Sequence, residues 1–398
     1  MRDPSSEPGA PVASSYSFDS VEDAIRDIRE GKIVIVVDDE GRENEGDFVC
    51  AAECITPELV NFMIKEGRGL LCVSLEEERA RELQLNLMVE QNNASFETAF
   101  TVSVDYRCPE CTTGISARDR AATIRALVDP GAKASDFMRP GHIFPLIAKK
   151  GGVLRRSGHT EASLDLSKLA GCTPGGVLVE ILNDDGTMAR LPELFLLAKK
   201  FDLRIISIKD LIAYRMQRER IVEEIYHHQW QSPYGTITVH AFRQMTTDDV
   251  HIAFVAGSVA AEKPTRVRVM TLPPYLHVFA AIADPKVQQI HKLLQYFAQH
   301  GGILLLMRHS DKYQPREDVQ YIRSLIEGVR TASSSKPRAL LSEIERDIGV
   351  GSQILKLLGV RKIHLLSNRP LEAYPVQAYG LEIVQTTPVD DLLKSLAL

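Results

Sequence analysis

The chain has 398 residues, of which 44% are hydrophobic and 25% charged, and 47 basic against 53 acidic side chains give a net charge of -6. That is ample apolar material for a core, and the length predicts two domains, since domains usually run about 100–200 residues. The acidic balance argues against a general binder of nucleic acid or anionic membranes, and apolar runs such as Ile33–Val37 and Ile303–Met307 fall far short of the roughly 20 residues a membrane span needs.

Residues 1–16 hold scattered charges, prolines and serines without an apolar segment, which predicts a disordered lead-in and no secretory signal. Ser20 is a good N-cap for a helix over Val21–Glu30, with Gly31 as its stop. Strands are expected at Ile33–Val37, Phe48–Ala52, Gly69–Leu75, Thr98–Asp105, Gly176–Leu182 and Arg204–Ile208. Helical patterns lie between and after them at Pro57–Lys65, Ser116–Leu127, Glu193–Phe201 and Lys209–Gln217. Strands interleaved with helices predict an α/β domain with a mixed sheet flanked by helices, over residues 17–217.

A charged stretch from Arg218 through Glu224 follows, running to Trp230. The pattern then restarts, with strands expected at Thr236–Phe242, His251–Val255, Ile303–Met307, Lys362–Leu366 and Leu381–Val384. Helices are expected at Lys286–His300 and Ser342–Leu358, and a loop at Ala332–Lys336. This is a second α/β domain, residues 218–398. Six cysteines stand at positions 50, 54, 72, 108, 111 and 172, with none beyond. They are too few for a secreted disulfide scaffold, so a cytoplasmic protein is expected. Cys108 and Cys111 form a CxxC pair without a second pair at zinc-ribbon distance, and read as loop thiols.

The densest chemical signal is Asp38-Asp39-Glu40-Gly41-Arg42-Glu43-Asn44-Glu45-Gly46-Asp47, six carboxylates in ten residues directly after a buried strand. A solvated acidic turn is one reading. The embedded arginine and the two glycines favour the other, a hard divalent cation with a phosphorylated ligand. A second cluster, Arg155-Arg156-Ser157-Gly158-His159-Thr160-Glu161, has the small-residue turn, the hydroxyls and the cations of a phosphate cradle opening a helix. His142 lies in Arg139-Pro140-Gly141-His142-Ile143-Phe144-Pro145, which reads as a loop, and such a histidine is structural or catalytic. Glu180 ends an apolar strand, so its carboxylate has to be paired, metal-bound or shifted in pKa. Together these groups point to metal-assisted proton chemistry on a small phosphorylated compound.

The strings Asp38–Asp47, Thr112-Thr113-Gly114-Ile115-Ser116, Arg139–Pro145 and Gly158-His159-Thr160-Glu161-Ala162 resemble 3,4-dihydroxy-2-butanone 4-phosphate synthase, a lyase of riboflavin biosynthesis. The resemblance implies conversion of D-ribulose 5-phosphate to the four-carbon phosphate and formate with Mg²⁺ or Mn²⁺, in a homodimer. Carried over by motif, it makes Glu43 and His159 metal ligands and His142 and Glu180 the catalytic proton-transfer residues. Arg42, Glu43, Asp47 and the segment Arg156, Ser157, Gly158, His159, Thr160 would bind the sugar phosphate. Glu45, Cys72 and Thr113 would line the pocket.

The second half resembles GTP cyclohydrolase II at Asp347–Leu355, Leu358–Ile363, Ser367-Asn368-Arg369-Pro370 and Ala378–Val384. That family holds catalytic zinc with three cysteines, and this half has none. The aligned stretch offers His277 and Asp284, and His309-Ser310-Asp311-Lys312-Tyr313 stands where a glycine-rich substrate segment is expected. An inactive second domain without zinc is therefore expected. The alternatives are a bifunctional enzyme that also hydrolyses GTP and a non-catalytic regulator of flavin synthesis.

Overall fold

The computed structural model describes residues 17–40, 42–94, 96, 98–271, 285–308, 341–368 and 376–395. Residues 1–16, His277, Asp284, the 309–313 segment, Ala332–Lys336 and the Arg369-Pro370 pair lie outside them. The chain divides into two compact units, Met1–Ala148 with Gly158–Asp210 and Lys149–Ser157 with Leu211–Leu398. Each is an α/β unit built on a mixed seven-stranded sheet.

The first unit contains strands β1 (Val34–Val37), β2 (Gly46–Ala51), β3 (Cys72–Leu75), β4 (Val104–Tyr106), β5 (Phe137–Ile147), β6 (Gly176–Glu180) and β7 (Arg204–Ser207), in the spatial order β4-β5-β3-β6-β2-β1-β7. Its helices are α1 (Val21–Arg29), α2 (Pro57–Phe62), α3 (Glu77–Glu82), α4 (Ala117–Val128), α5 (His159–Leu169) and α6 (Leu191–Phe201), with α7 (Ile208–Arg218) following. Ser20 caps α1 as expected, accepting from the Asp23 N–H at 3.1 Å.

Strand alternation divides the sheet's work between its faces. On one face Ile35, Val37, Phe48, Cys50, Val73, Leu75, Val177 and Val179 join residues of α2, α4 and α6 in a single buried cluster. On the other, Val36 is in register with Asp47, and Asp47 with Glu180. Helix α5 packs on β2, β3 and β6, and Ser163 Oγ lies 2.8 Å from Ser74 Oγ. One face thus holds the apolar core and the other carries polar groups under a helix.

Three expectations for this unit need correction. His142 is not in a loop, because Phe137–Ile147 is an eleven-residue strand. Pro140 and Gly141 read as turn residues, yet they sit where β4–β5 pairing jumps from Val104↔Ile143 to Asp105↔Met138, a bulge that tolerates both. The expected strand Thr98–Asp105 is regular only over Val104–Tyr106, with isolated bridges at Phe100 and Thr101. Cys108 and Cys111, expected as thiols, are joined in a disulfide with their Cα atoms 5.2 Å apart.

The second unit's sheet holds β8 (Val222–Ser232), β9 (Gly235–Gln244), β10 (Val250–Ala256), β11 (Thr265–Thr271), β12 (Gly302–Met307), β13 (Lys362–Leu366) and β14 (Glu382–Thr387), ordered β14-β13-β11-β12-β10-β9-β8. Strands β8, β9, β10 and β12 pair antiparallel, and β12, β11, β13 and β14 parallel. Helices α8 (Pro285–His300), α9 (Leu341–Leu357) and α10 (Val389–Ser395) complete the unit, and β12 is buried along its whole length. The charged stretch that runs to Trp230 is largely strand β8, and neither β8 nor β11 was anticipated. No helix among the described residues is long and apolar enough to cross a membrane.

The two-faced sheet yields a stability contrast. Phe48→Ala should cost about 3–5 kcal/mol in urea denaturation, since Phe48 is fully buried in the cluster. Leu196→Ala on the outside of α6, where Leu196 is 70% exposed, should change stability by about 0.5 kcal/mol or less. Equal losses in the two would contradict this placement of the core.

Candidate active site

The acidic string after β1 folds around its first carboxylate. Asp38 is buried; its Oδ1 accepts the Glu45 N–H at 2.8 Å, and its Oδ2 accepts the Glu43 N–H at 3.1 Å and Arg42 Nη1 at 2.9 Å. Asp38 therefore ties the loop into a ring and sets the direction of Glu43. Arg42 also pairs with the Glu43 carboxylate, and its guanidinium lies 4.7 Å over the Phe96 ring. Arg190 closes the outside by donating to the carbonyls of Glu43 and Asn44.

His159 enters from the first residue of α5. Its Nε2 is 3.1 Å from the Val36 carbonyl, and its Nδ1 lies 3.8 Å from both Glu43 Oε2 and Asp47 Oδ1. Ligand atoms of Asp38, Glu43 and His159 all lie within 4.8 Å of one another. Asp47 is buried at the start of β2, and its Oδ1 has no hydrogen-bond partner. A buried carboxylate oxygen left unsatisfied beside an imidazole and two more carboxylates suits a cation, because each group alone is costly to desolvate. Oxygen donors with one imidazole nitrogen suit Mg²⁺ or Mn²⁺ better than a thiophilic metal.

The charges perturb one another strongly. Burial pushes the Asp47 carboxyl up to about 7, with His159 opposing and Glu180, Glu43 and Asp38 adding to the rise. Burial by itself favours neutral His159, but Asp47, Glu43 and Asp38 outweigh it and raise the imidazole to about 9. Burial likewise acts upward on Glu43, where His159 and Arg42 prevail and hold the carboxyl below its usual value. Glu45 is raised by burial and by Glu43.

Glu180 closes β6 opposite Asp47. Its Oε2 accepts the Leu70 N–H at 2.8 Å and its carbonyl accepts the Gly69 N–H at 3.1 Å. A Cβ on Gly69 would sit 2.4 Å from that carbonyl oxygen, so only glycine lets this turn close on Glu180. Cys72 lies on β3 in register with Leu178, and burial, then Glu180 and Asp47, drives its thiol well up.

His142 projects from the β5 bulge, and Asp105 grips it twice. Asp105 Oδ1 accepts the His142 N–H at 2.8 Å, and Oδ2 lies 2.7 Å from ring Nδ1. A carboxylate at Nδ1 assigns the proton to that nitrogen and leaves Nε2 as the basic one. Asp105 was not singled out in the sequence, although it ends the predicted strand Thr98–Asp105 with a charge. Thr113 is exposed; its neighbour Gly114, at φ +94°, is what abuts the pair, and a Cβ there would stand 2.1 Å from Asp105 Oδ2.

The phosphate segment divides. Gly158, which has no side chain to offer, is the N-cap of α5, followed by buried His159 and Thr160. A helix N-terminus of this kind favours an anion. Arg156 and buried Ser157 belong to the Lys149–Ser157 segment of the second unit.

The family model of 3,4-dihydroxy-2-butanone 4-phosphate synthase matches residues 22–214, and that of GTP cyclohydrolase II matches residues 223–388. The riboflavin biosynthesis protein RibBA of Cytophaga hutchinsonii is 47% identical over 374 residues, covering 94% of this chain and 92% of its own. The RibBA protein of Parabacteroides distasonis is 45% identical over 379 residues, with 95% and 93% covered. A crystal structure of RibBX, described as a two-domain 3,4-dihydroxy-2-butanone 4-phosphate synthase from A. baumannii, aligns with a TM-score of 0.75 at 39% identity, covering 93% of this chain and 99% of that one.

The shifted pair yields two expectations. In metal-free protein, raised Asp47 and His159 each contribute stability that is complete below the unfolded value and lost as pH climbs through about 7 and about 9 respectively. Thermal melting should therefore fall between about pH 4 and about pH 9, and Asp47→Asn should remove the acidic part of that fall. Titration of Mg²⁺ in buffers of different ionisation enthalpy should release about one proton per ion near neutral pH. Binding without proton release would remove His159 from the ligand set.

Proposed function

The chain belongs to the family of two-domain riboflavin biosynthesis proteins that join a 3,4-dihydroxy-2-butanone 4-phosphate synthase domain to a GTP cyclohydrolase II domain, and from this premise we propose how its residues act. The synthase domain, residues 17–217, converts D-ribulose 5-phosphate to 3,4-dihydroxy-2-butanone 4-phosphate and formate. Carbon, hydrogen and oxygen balance in that conversion without added water or oxidant. The observation that carries the reading is the buried Asp47 with its orphan oxygen, set between His159 and Glu180 at the mouth of β2 and β6.

Glu43 and His159 hold Mg²⁺ or Mn²⁺, with Asp38 as a further donor. The cation supplies Lewis-acid stabilisation of charge developing on the sugar's oxygens. Arg42, which shares Asp38 and Glu43 in the structure, keeps Asp38 and turns to substrate. The N-terminus of α5 with Thr160 takes the phosphate, which is remote from the reacting carbons and so supplies binding energy there. His142 Nε2 accepts a proton from carbon while Asp105 steadies the imidazolium through Nδ1. Glu180, fixed by the Leu70 N–H, handles the second proton. Glu45 and Cys72 line the pocket, with Thr113 at its rim. We place the enzyme in the cytoplasm as a homodimer, following the family resemblance.

For the second domain, residues 218–398, two readings stand on different observations. The match to GTP cyclohydrolase II and the RibBA relatives spanning it favour a bifunctional enzyme over an inactive tail. The absence of any cysteine beyond Cys172 favours a domain that does not open GTP with a cysteine-held zinc. The RibBX relative, described as a two-domain synthase, lies on the same side.

Both chemistries expel formate, so formate release from ribulose 5-phosphate and from GTP, each with Mg²⁺ and Zn²⁺ present, tests both domains. Release from the sugar phosphate is expected, and Glu43→Ala and His159→Ala should abolish it while the fold is retained. Asp105→Asn should lower kcat by about 10²-fold or more, with KM nearly constant, as expected for a disturbed general base. Release from GTP establishes the bifunctional reading, and its absence leaves the synthase alone. No formate from either substrate would overturn the synthase reading too and move the protein into the regulator class.

A further inference from the structure

A second group of metal-ligating side chains lies at the end of the first sheet opposite the Asp47 cluster. Asp47 and Glu180 stand at the start of β2 and the end of β6; Glu53 and Cys54 follow the far end of β2, and Cys172 precedes the start of β6. Glu53 and Cys54 lie in a short helical turn, Ala52–Cys54, and Cys172 in the loop after α5. One carboxylate oxygen and the two Sγ atoms lie within 4.8 Å of one another. Both thiols are free and partly accessible. We propose that Glu53, Cys54 and Cys172 form a second metal site, for a thiophilic divalent cation of the Zn²⁺ class.

Three features support it. The donor set is two sulfurs and one carboxylate, which selects Zn²⁺ over Mg²⁺ and leaves a fourth tetrahedral position for water. The carboxylate is oriented in advance, since Glu53 Oε2 accepts both the Thr173 N–H, at 2.9 Å, and the Thr173 hydroxyl. Fixing one oxygen this way is how outer partners commonly aim a ligand. The loop that carries Cys172 is held as well, because Arg29 Nε donates to the Ala170 carbonyl at 2.9 Å. A cation here would clip the exit of β2 to the loop entering β6, and would do so outside the reaction itself.

The test is a Cd²⁺ titration of reduced full-length protein under saturating Mg²⁺, which fills the oxygen-rich site, in a Cys108→Ser/Cys111→Ser background that removes the competing pair. A thiolate-to-cadmium absorption band saturating at about one equivalent and displaced by Zn²⁺ is expected. Cys54→Ser and Cys172→Ser should each abolish the band, and Glu53→Gln and Thr173→Val should each weaken Cd²⁺ binding by about 10–100-fold. Formate release from ribulose 5-phosphate should stay unchanged in all four. Melting curves identify any variant that fails to fold, and the exposed Glu53 then serves as the deciding position. A band that persists in both cysteine variants would overturn the proposal. So would no band in the background protein, or a Cys54–Cys172 disulfide in protein purified without reductant.

Discussion

Asp47 is a buried carboxylate whose Oδ1 has no hydrogen-bond partner in the floor of a sheet, and the rest of the first unit is arranged around that cost. An isolated buried charge is expensive, so it persists only where neighbours compensate it. Here the compensation comes from a helix that starts at the right place. His159 is the first residue of α5 and is anchored through Nε2 to the Val36 carbonyl, which leaves Nδ1 facing Asp47 and Glu43. The acidic loop supplies the remaining member, folded by Asp38 through two backbone N–H groups. Both groups therefore hold their protons more tightly than they would in water until a cation replaces them.

This arrangement depends on the sheet having two unlike faces. Phe48 and Cys50 point into the apolar cluster, while Asp47 and Val49 alternate to the side that α5 covers. A one-residue register slip in β2 would send Asp47 into the core and Phe48 to the polar face. Pairing of β2 with β1 on one side and β6 on the other opposes that slip from both edges. The apolar half of the domain therefore fixes the geometry of its polar half.

The Asp38–Asp47 string was legible because six carboxylates around an arginine cannot be a buried strand, and Glu180 was legible as a charge closing an apolar run. His142 was found, but its setting was misread: Pro140 and Gly141 are turn residues by every local rule, and only a pairing jump of the neighbouring strand reveals the bulge. Asp105 was hidden for the same reason, since its partner lies 37 positions away. Strand β8 was missed because Glu, His and Gln fill an exposed ladder, so no apolar alternation marks it. In β11 the alternation Arg266-Val267-Arg268-Val269 was available and went unused. The Cys108–Cys111 bridge needed a backbone distance that spacing alone does not provide.

The second unit separates what a fold requires from what a reaction requires. Its sheet rests on the buried Ile303, Leu304, Leu305 and Leu306 of β12, with Leu304 and Leu306 in one cluster with Leu293 and Phe297 of α8. Hydrophobic positions of that kind can be kept while every catalytic ligand is exchanged, because burial depends on apolar area and not on donor chemistry. Similarity across residues 223–388 therefore carries the architecture first. Zinc activation of a water needs three donors converging on one point. In a half without cysteine, those donors have to be imidazoles and carboxylates. Such a set would hold the metal with harder ligands, so any GTP chemistry there would show a different metal preference from a thiolate-bound centre.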